Sequence, residues 1–377
     1  IMTFNADVLA GAVEWVVKVS MDGVVLMDVG DESSSVRFRA EGGSGMRSIS
    51  VPVRIENRRS GTVPFSGPHL NLMAAALRHK SGDGDAVMTI ERNPITVPVS
   101  YMGLKFPVAV LTSSGRIPSD SERFSPIGSM SYHDFMWALK TAGKLTGRQL
   151  TAVSMIDITF DAGTGLMSVM GTDKTVLGVI KAPFIPDDAF RKHKTTRFLV
   201  LPDINNLRTD SEDITISESD ESLRMDFGGT RVATIRKQRM RMFHWPEVVA
   251  HQSEDGVRVN DVSIDVDASA LSTSTSIIMS VRGAVNEGVI QFAVKDGSMS
   301  IRSTDDDSPV DTITVGYDGG MKRFALHYDE LRKIISAVDS DIIRIRYASD
   351  SDVPIIIEQL DPDSKVDESS FMMIYPK

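Results

Sequence analysis

Apolar residues recur three and four apart in three stretches, each opening behind a polar residue able to cap a helix. Asn5 precedes Val8, Leu9, Ala12, Val13, Val16 and Val17; Ser131 precedes Phe135, Met136, Leu139 and Ala142; Asp267 precedes Leu271, Ile277, Ile278 and Val281. That spacing gives a helix one apolar face, and Asn, Ser and Asp are favoured N-caps because their side-chain oxygens accept the first free amides. The third stretch, with its Ser-Thr-Ser-Thr-Ser run, is the poorest helix former.

Between and beyond these helices the period changes to two, as in Ile343-Arg344-Ile345-Arg346, which predicts sheets with one buried face. A strand pair follows each first helix and closes on a similar tetrad: Val25-Leu26-Met27-Asp28 before Gly30-Asp31, Leu166-Met167-Ser168-Val169 before Gly171-Thr172-Asp173, and Ser298-Met299-Ser300-Ile301 before Ser303-Thr304-Asp305. Each third then has a strand entering a second helix and two further strands. In the first third these are 62–65 into 70–78, then 86–90 and 96–101. In the second, 197–201 enters 203–207, followed by 213–217 and 223–227. In the last, 323–326 enters 328–338, followed by 342–347 and 354–358. Two helices and about eight short strands, repeated three times with a period near 126 residues, make an α+β plan. The expected domains are 1–125, 126–252 and 253–377, with boundaries in the polar stretches 119–128 and 250–256. The 377-residue length suits two or three domains of ordinary size.

Charge changes this picture only when it is divided. The chain carries 41 Lys and Arg against 51 Asp and Glu, a net of −10, which argues against a nucleic-acid partner. By thirds the nets are 0, +1 and −11, so the excess acid belongs to the last third alone. Further basic residues, Lys192, Lys194 and Arg197, then Arg236, Lys237, Arg239 and Arg241, flank expected loops. With no cysteine there is no disulfide frame and no thiol nucleophile, which suits a reducing cytoplasm. No apolar run approaches the roughly 18 residues of a membrane span, and the first ten residues lack a secretory pattern. A cytoplasmic protein with no membrane partner is expected.

The repeat resembles the bacterial sliding clamp family, the beta subunit of DNA polymerase III. The family's Thr-Asp-Gly-(His/Tyr)-Arg-Leu-Ala signature corresponds to Thr172-Asp173-Lys174-Thr175-Val176-Leu177-Gly178. Its Arg-Phe-Pro-(Asp/Glu)-Tyr segment corresponds to His244-Trp245-Pro246-Glu247-Val248, and its C-terminal strand to Phe371-Met372-Met373-Ile374-Tyr375-Pro376-Lys377. The strand-to-helix step at 324–338 includes the family's tyrosine as Tyr328. The order and spacing of these segments over three repeats carry the resemblance. The first third departs furthest and lacks the family's Pro-Ile-Leu segment, as a divergent or phage-encoded member would.

The resemblance implies a head-to-tail homodimer, a ring of six domains that encircles duplex DNA without reading its sequence. The helices would line the hole, and the ring would serve as a processivity factor for the replicative DNA polymerase, loaded by a clamp loader. Candidates for the DNA-facing wall are Arg78, Lys80, Lys140, Lys144, Arg148, Arg208, Arg282, Arg332 and Lys333. Lys140, Lys144 and Arg148 recur every four residues along one helical face; a solvated helix face is the alternative for each. By the same resemblance Met155, Thr172, Leu177, Pro246, Val248, Val249, Tyr328, Met372 and Ile374 form a hydrophobic groove for partner peptides between the second and third domains. Methionines suit a site with several partners because their chains repack easily. Leu177 and Val249 taken alone also read as core, whereas Met372 and Ile374 alternate along a terminal strand. Phe106, Val108, Ile278 and Met279 correspond to the dimer interface, and each also reads as core. In this sequence the family's His/Tyr-Arg pair is replaced by Thr175-Val176, and the terminal Arg-Leu is reduced to Lys377.

Catalysis is not expected. The chain has no Gly-rich phosphate loop, His-Glu-x-x-His helix or Gly-x-Ser-x-Gly elbow. Its seven histidines lack metal-ligand spacing, and Asp305-Asp306-Asp307 is not followed by the ligands of a calcium loop. Neither cofactor nor metal is called for. A β-rich structural or virion protein with a threefold repeat is the rival reading, and the helix-strand-helix step in each repeat favours the clamp over it.

Overall fold

The computed structural model describes residues 1–19, 23–30, 34–43, 45–56, 59–79, 84–91, 94–111, 122–147, 154–192, 195–201, 207, 211–239, 262–281, 288–304, 309–347, 355–360 and 371–374. For Lys192, Val281 and 371–374 only the backbone is described. The first third runs β1 (Met2–Asn5), α1 (Ala6–Val17), β2 (Val24–Val29), β3 (Ser35–Gly42), β4 (Gly45–Pro52), β5 (Arg54–Ile55), β6 (Gly61–Ser66), α2 (Gly67–His79), β7 (Asp85–Met88), β8 (Thr96–Tyr101) and β9 (Leu104–Ala109). The second repeats that order as β10 (Ser125–Ser131), α3 (Tyr132–Leu145), β11 (Ile156–Asp161), β12 (Leu166–Thr172), β13 (Val176–Pro183), β14 (Ile185–Pro186), β15 (Thr195–Val200), β16 (Asp213–Glu218), β17 (Ser222–Phe227) and β18 (Arg231–Arg236). The last comprises β19 (Val262–Asp267), α4 (Ala268–Val281), β20 (Val289–Lys295), β21 (Ser298–Ser303), β22 (Val310–Gly316), β23 (Lys322–His327), α5 (Tyr328–Ala337), β24 (Ile342–Tyr347), β25 (Ile355–Gln359) and β26 (Phe371–Ile374). The helix expected at 203–207 lies outside the described residues, apart from the buried Leu207.

Strands and helices follow the capping and periodicity of the sequence. The Asn5 side chain accepts the Val8 amide at 3.1 Å, and Asp267 accepts that of Ala270 at 2.7 Å. Strands β8 and β24 have the expected bounds. One expectation shifts. Val25-Leu26-Met27-Asp28 forms β2, the first strand after its helix, whereas the matching segments of the other thirds form the second strands β12 and β21. Short apolar runs bounded by turn residues look alike whichever hairpin they occupy, so the first tetrad is not the topological counterpart of the other two.

The chain divides into two compact units. The first comprises Ile1–Tyr132, Ile185–Lys192 and Asn206–Lys237. It holds an antiparallel sheet ordered β5-β1-β7-β8-β9 and another ordered β14-β10-β16-β17-β18-β4-β3-β2-β6. Helices α1 and α2 pack together and bury Leu9, Val13, Val16, Leu70 and Met73 among Phe4, Met27, Phe38 and Phe65. Trp15 ties α1 to the longer sheet where β4 meets β18. Its indole N–H donates to the Ser48 carbonyl at 3.3 Å, Phe227 meets the ring edge-on at 5.5 Å, and the Arg47 and Arg231 guanidinium carbons stand 5.1 and 5.8 Å from its centroid.

The second unit comprises His133–Phe184, His193–Asn205 and Gln238–Lys377. Its twelve strands run β15-β11-β12-β13-β26-β25-β24-β19-β22-β21-β20-β23. Phe135, Leu139, Phe160, Phe198, Leu271, Phe292, Leu331 and Ile334 form its buried interior. Strand β12 approaches α3 so closely that a Cβ on Gly171 would lie 2.0 Å from the Ala142 carbonyl oxygen. Helix α4 forms despite its hydroxyl-rich sequence, and two of its hydroxyls turn back onto the helix: Thr275 Oγ1 donates to the Leu271 carbonyl at 2.8 Å and Ser280 to that of Ile277 at 2.9 Å, whereas the buried Ser274 hydroxyl has no partner among the described residues.

Candidate functional site

The turn from β12 to β13 carries the Thr-Asp pair. Thr172 Oγ1 donates to the Val176 carbonyl at 2.7 Å and accepts the Lys174 amide at 3.2 Å. Asp173 Oδ1 accepts three bonds, from the Thr175 amide at 3.0 Å, the Thr175 hydroxyl at 2.9 Å and the Val176 amide at 2.9 Å. Its other oxygen, Oδ2, pairs with the Lys333 ammonium on α5. Burial pushes the Asp173 carboxyl up, but the bonds from Lys333, Val176 and Thr175 outweigh it and hold the group below its ordinary value.

Beyond the turn lies an apolar cluster of Met170, Leu177 and Val179, with Ile356 of β25 packed against it. Strand β26 inserts between β13 and β25: Val176 pairs with Ile374, Gly178 with Met372, and Ile357 with Met372 from the other side. Of the groove candidates, Met155, Thr172 and Leu177 are buried. Tyr328 is half-buried at the start of α5, with its hydroxyl 3.3 Å from Ser276 Oγ. Met372 and Ile374 are placed by backbone register alone, and Pro246, Val248 and Val249 lie outside the described residues. Thr172, Leu177, Met372 and Ile374 therefore meet at one junction between the second and last thirds.

The basic candidates differ in what they touch. Lys140 is exposed on α3, and Arg332 is exposed on α5 with its guanidinium carbon 5.8 Å from the Tyr328 ring centroid. Arg78 pairs with Glu14 across α2 and α1 at 3.4 Å. Lys144 donates to the Ser336 carbonyl in the last turn of α5 at 2.5 Å. Lys80, Arg148, Arg208 and Arg282 lie outside the described residues. Of the basic residues expected to flank loops, Arg197 lies within β15 and grips the buried Asp157 with two nitrogens, at 2.5 and 2.9 Å from Oδ2. Burial pushes the Asp157 carboxyl up, and Arg197 opposes it. Arg236 pairs with Glu41, and Lys237 with Glu218 at 2.7 Å.

Among the interface candidates, Val108 and Ile278 are each 1% exposed in the single chain, whereas Phe106 and Met279 are half-buried. Sequence reasoning missed a pair of strand edges. Strand β9 is the last of its sheet. Strand β22 pairs with β21 from Val310 to Thr314 but meets β19 only at Val315 and Gly316, so among the described residues the rest of that edge has no neighbouring strand. The repeats expose it only once the sheets are known: the equivalent strands β4 and β13 each gain a second neighbour, β18 and β26. No helix among the described residues is long and apolar enough to cross a membrane, and no cluster of three or more His, Asp or Glu among them could hold a metal ion.

No family model matches the sequence, and no curated protein matches it. Solved structures match over the full length. The DNA polymerase III subunit beta of Pseudomonas aeruginosa superposes with a TM-score of 0.81 at 13% identity, covering 100% of both chains. A P. aeruginosa sliding clamp bound to griselimycin gives 0.81 at 14%, and pol III beta of Caulobacter crescentus gives 0.79 at 15%; each match covers 100% of this chain and 99% of the other. The chain has the sliding-clamp fold.

Proposed function

We propose that the chain is a DNA sliding clamp: a homodimeric ring that encircles duplex DNA and acts as a non-catalytic processivity factor in the cytoplasm. The fold likeness, which spans 100% of this chain and 99–100% of each matched clamp, carries the reading. The repeats of 1–125, 126–252 and 253–377 are its three clamp domains. Two junctions between repeats are already made in the chain, by β4 on β18 and by β13 on β26. The third pair, β22 and β9, is left to be joined by a second copy, with Phe106 and Met279 as the accessible anchors beside it. Val108 and Ile278 are already buried in the single chain.

The DNA-facing surface is assigned to the helices, with Lys140 and Arg332 as their exposed cations; Arg78, Lys144 and Lys333 are held by Glu14, the Ser336 carbonyl and Asp173, and Lys80, Arg148, Arg208 and Arg282 are assigned to it by the resemblance alone. A ring that slides needs only a diffuse attraction to phosphate, because tight charge pairing would retard it. The exposed face of α4, with Ser269, Thr273, Ser276 and Ser280, is uncharged and suits that requirement. The junction of β13, β26 and β25 is the peptide groove, assigned to Met155, Thr172, Leu177, Tyr328, Met372 and Ile374; Pro246, Val248 and Val249 are added by the resemblance alone. Through it the replicative polymerase and the clamp loader are held.

A topological test separates encirclement from adhesion. Protein assembled on nicked circular DNA by a clamp loader should stay bound through gel filtration and be lost when the circle is cut. Equal release from circular and linear DNA would overturn the ring.

A further inference from the structure

We propose that Lys333 is a positioning residue for the peptide groove, holding the turn at 172–176 in the conformation that sets β13 against β26. The inference rests on the groove reading above. The two oxygens of Asp173 divide the work. Oδ1 closes the turn locally, on Thr175 and Val176, while Oδ2 reaches Lys333 in the last repeat. The turn contains Lys174 at φ +88°, a left-handed conformation that a side-chain-bearing residue adopts reluctantly, so contacts from outside the turn help it persist.

Helix α5 makes a second contact with the second repeat. Lys144 anchors it a second time, on the Ser336 carbonyl one turn beyond Lys333. The Lys333–Asp173 pair is partly shielded, with side-chain exposures of 31% and 17%, so it is screened less than a pair on the open surface. The Val176 amide that bonds Asp173 belongs to the residue paired with Ile374, and Leu177, the next residue, joins the apolar cluster. Any change in the turn therefore reaches the strand pair on which the peptide would lie. The ligand class is a short extended peptide bearing apolar side chains.

The test uses the full chain and a fluorescent peptide from the C-terminus of a bacterial replicative polymerase, with affinity read by anisotropy. Lys333→Met should weaken binding about tenfold, and Lys333→Arg should restore most of it. Asp173→Asn should weaken binding similarly, and the double variant should be no worse than either single change. Amide exchange at Thr175 and Val176 should quicken in Lys333→Met, a local readout that general destabilisation would not confine to the turn. If Lys333→Met does not fold, Asp173→Asn carries the same expectation. Binding by Lys333→Met as tight as wild type, or additive losses in the double variant, would overturn the proposal. Met372→Ala with Ile374→Ala separates the two levels. If that variant loses the peptide while Lys333→Met keeps it, the Lys333 role alone fails. If that variant binds like wild type, or wild type does not bind, the groove reading fails and takes the Lys333 role with it.

Discussion

Asp173 and Glu358 should respond to pH in opposite directions, because burial is outweighed by several hydrogen bonds together at Asp173 and prevails at Glu358. Asp173 is held below its ordinary 3.8, so the stability it contributes is complete above that value and is lost as pH falls through the lower native one. Burial raises Glu358 above its ordinary 4.5, against Arg346 and Arg344 and with help from Asp265. Its contribution is complete below 4.5 and is lost as pH rises through the native value. Urea denaturation across this range should show the advantage of wild type over Asp173→Asn shrinking toward acid. Its advantage over Glu358→Gln should shrink toward neutrality. Parallel curves for the two variants would contradict the assignment. None of this was legible from residue spacing. Arg197 reads only as a cation at the start of a strand beside a loop, yet it pairs with a carboxylate forty positions away, and periodicity carries no record of such a partner.

Helices and strands were far more legible, since caps and periods are local. Asn5 and Asp267 cap as expected, and replacing Asn5 with alanine should cost about 1 kcal/mol in urea denaturation. Close approach between elements is another matter. Gly171 precedes the recognisable Thr-Asp pair, but nothing in the sequence says that α3 leaves no room for a methyl group there. Gly171→Ala should cost about 1–3 kcal/mol by the same measurement, through overpacking. An unchanged midpoint would mean that β12 and α3 can separate freely. Helix α4 shows the converse, a run of weak helix formers that is helical in the fold, with two of its hydroxyls turned back onto their own carbonyls.

For the whole molecule, three repeats were readable from order and spacing, but the sheets that cross from one repeat to the next were not. Their pairings, Arg231 with Ile49 and Val176 with Ile374, join positions that no local pattern links. Those pairings also say what the proposed second copy must supply. A negative charge at Phe106 or Met279, by Phe106→Asp or Met279→Asp, should convert a dimer of twice 41.2 kDa into monomers by light scattering. A persistent dimer would remove these anchors. The same charges at Val108 or Ile278 should instead unfold the chain, since both are already buried without a partner.

The insertion of β26 into the middle of the twelve-stranded sheet also has a consequence in time. Val176 leaves the ribosome long before Ile374, and at about 5–20 residues per second the interval is roughly 10–40 s. Throughout it β13 presents an unpaired backbone edge, the kind of surface that seeks a wrong partner. The junction proposed to capture foreign peptides thus closes late in synthesis, and its first occupant is strand β26 of the same chain.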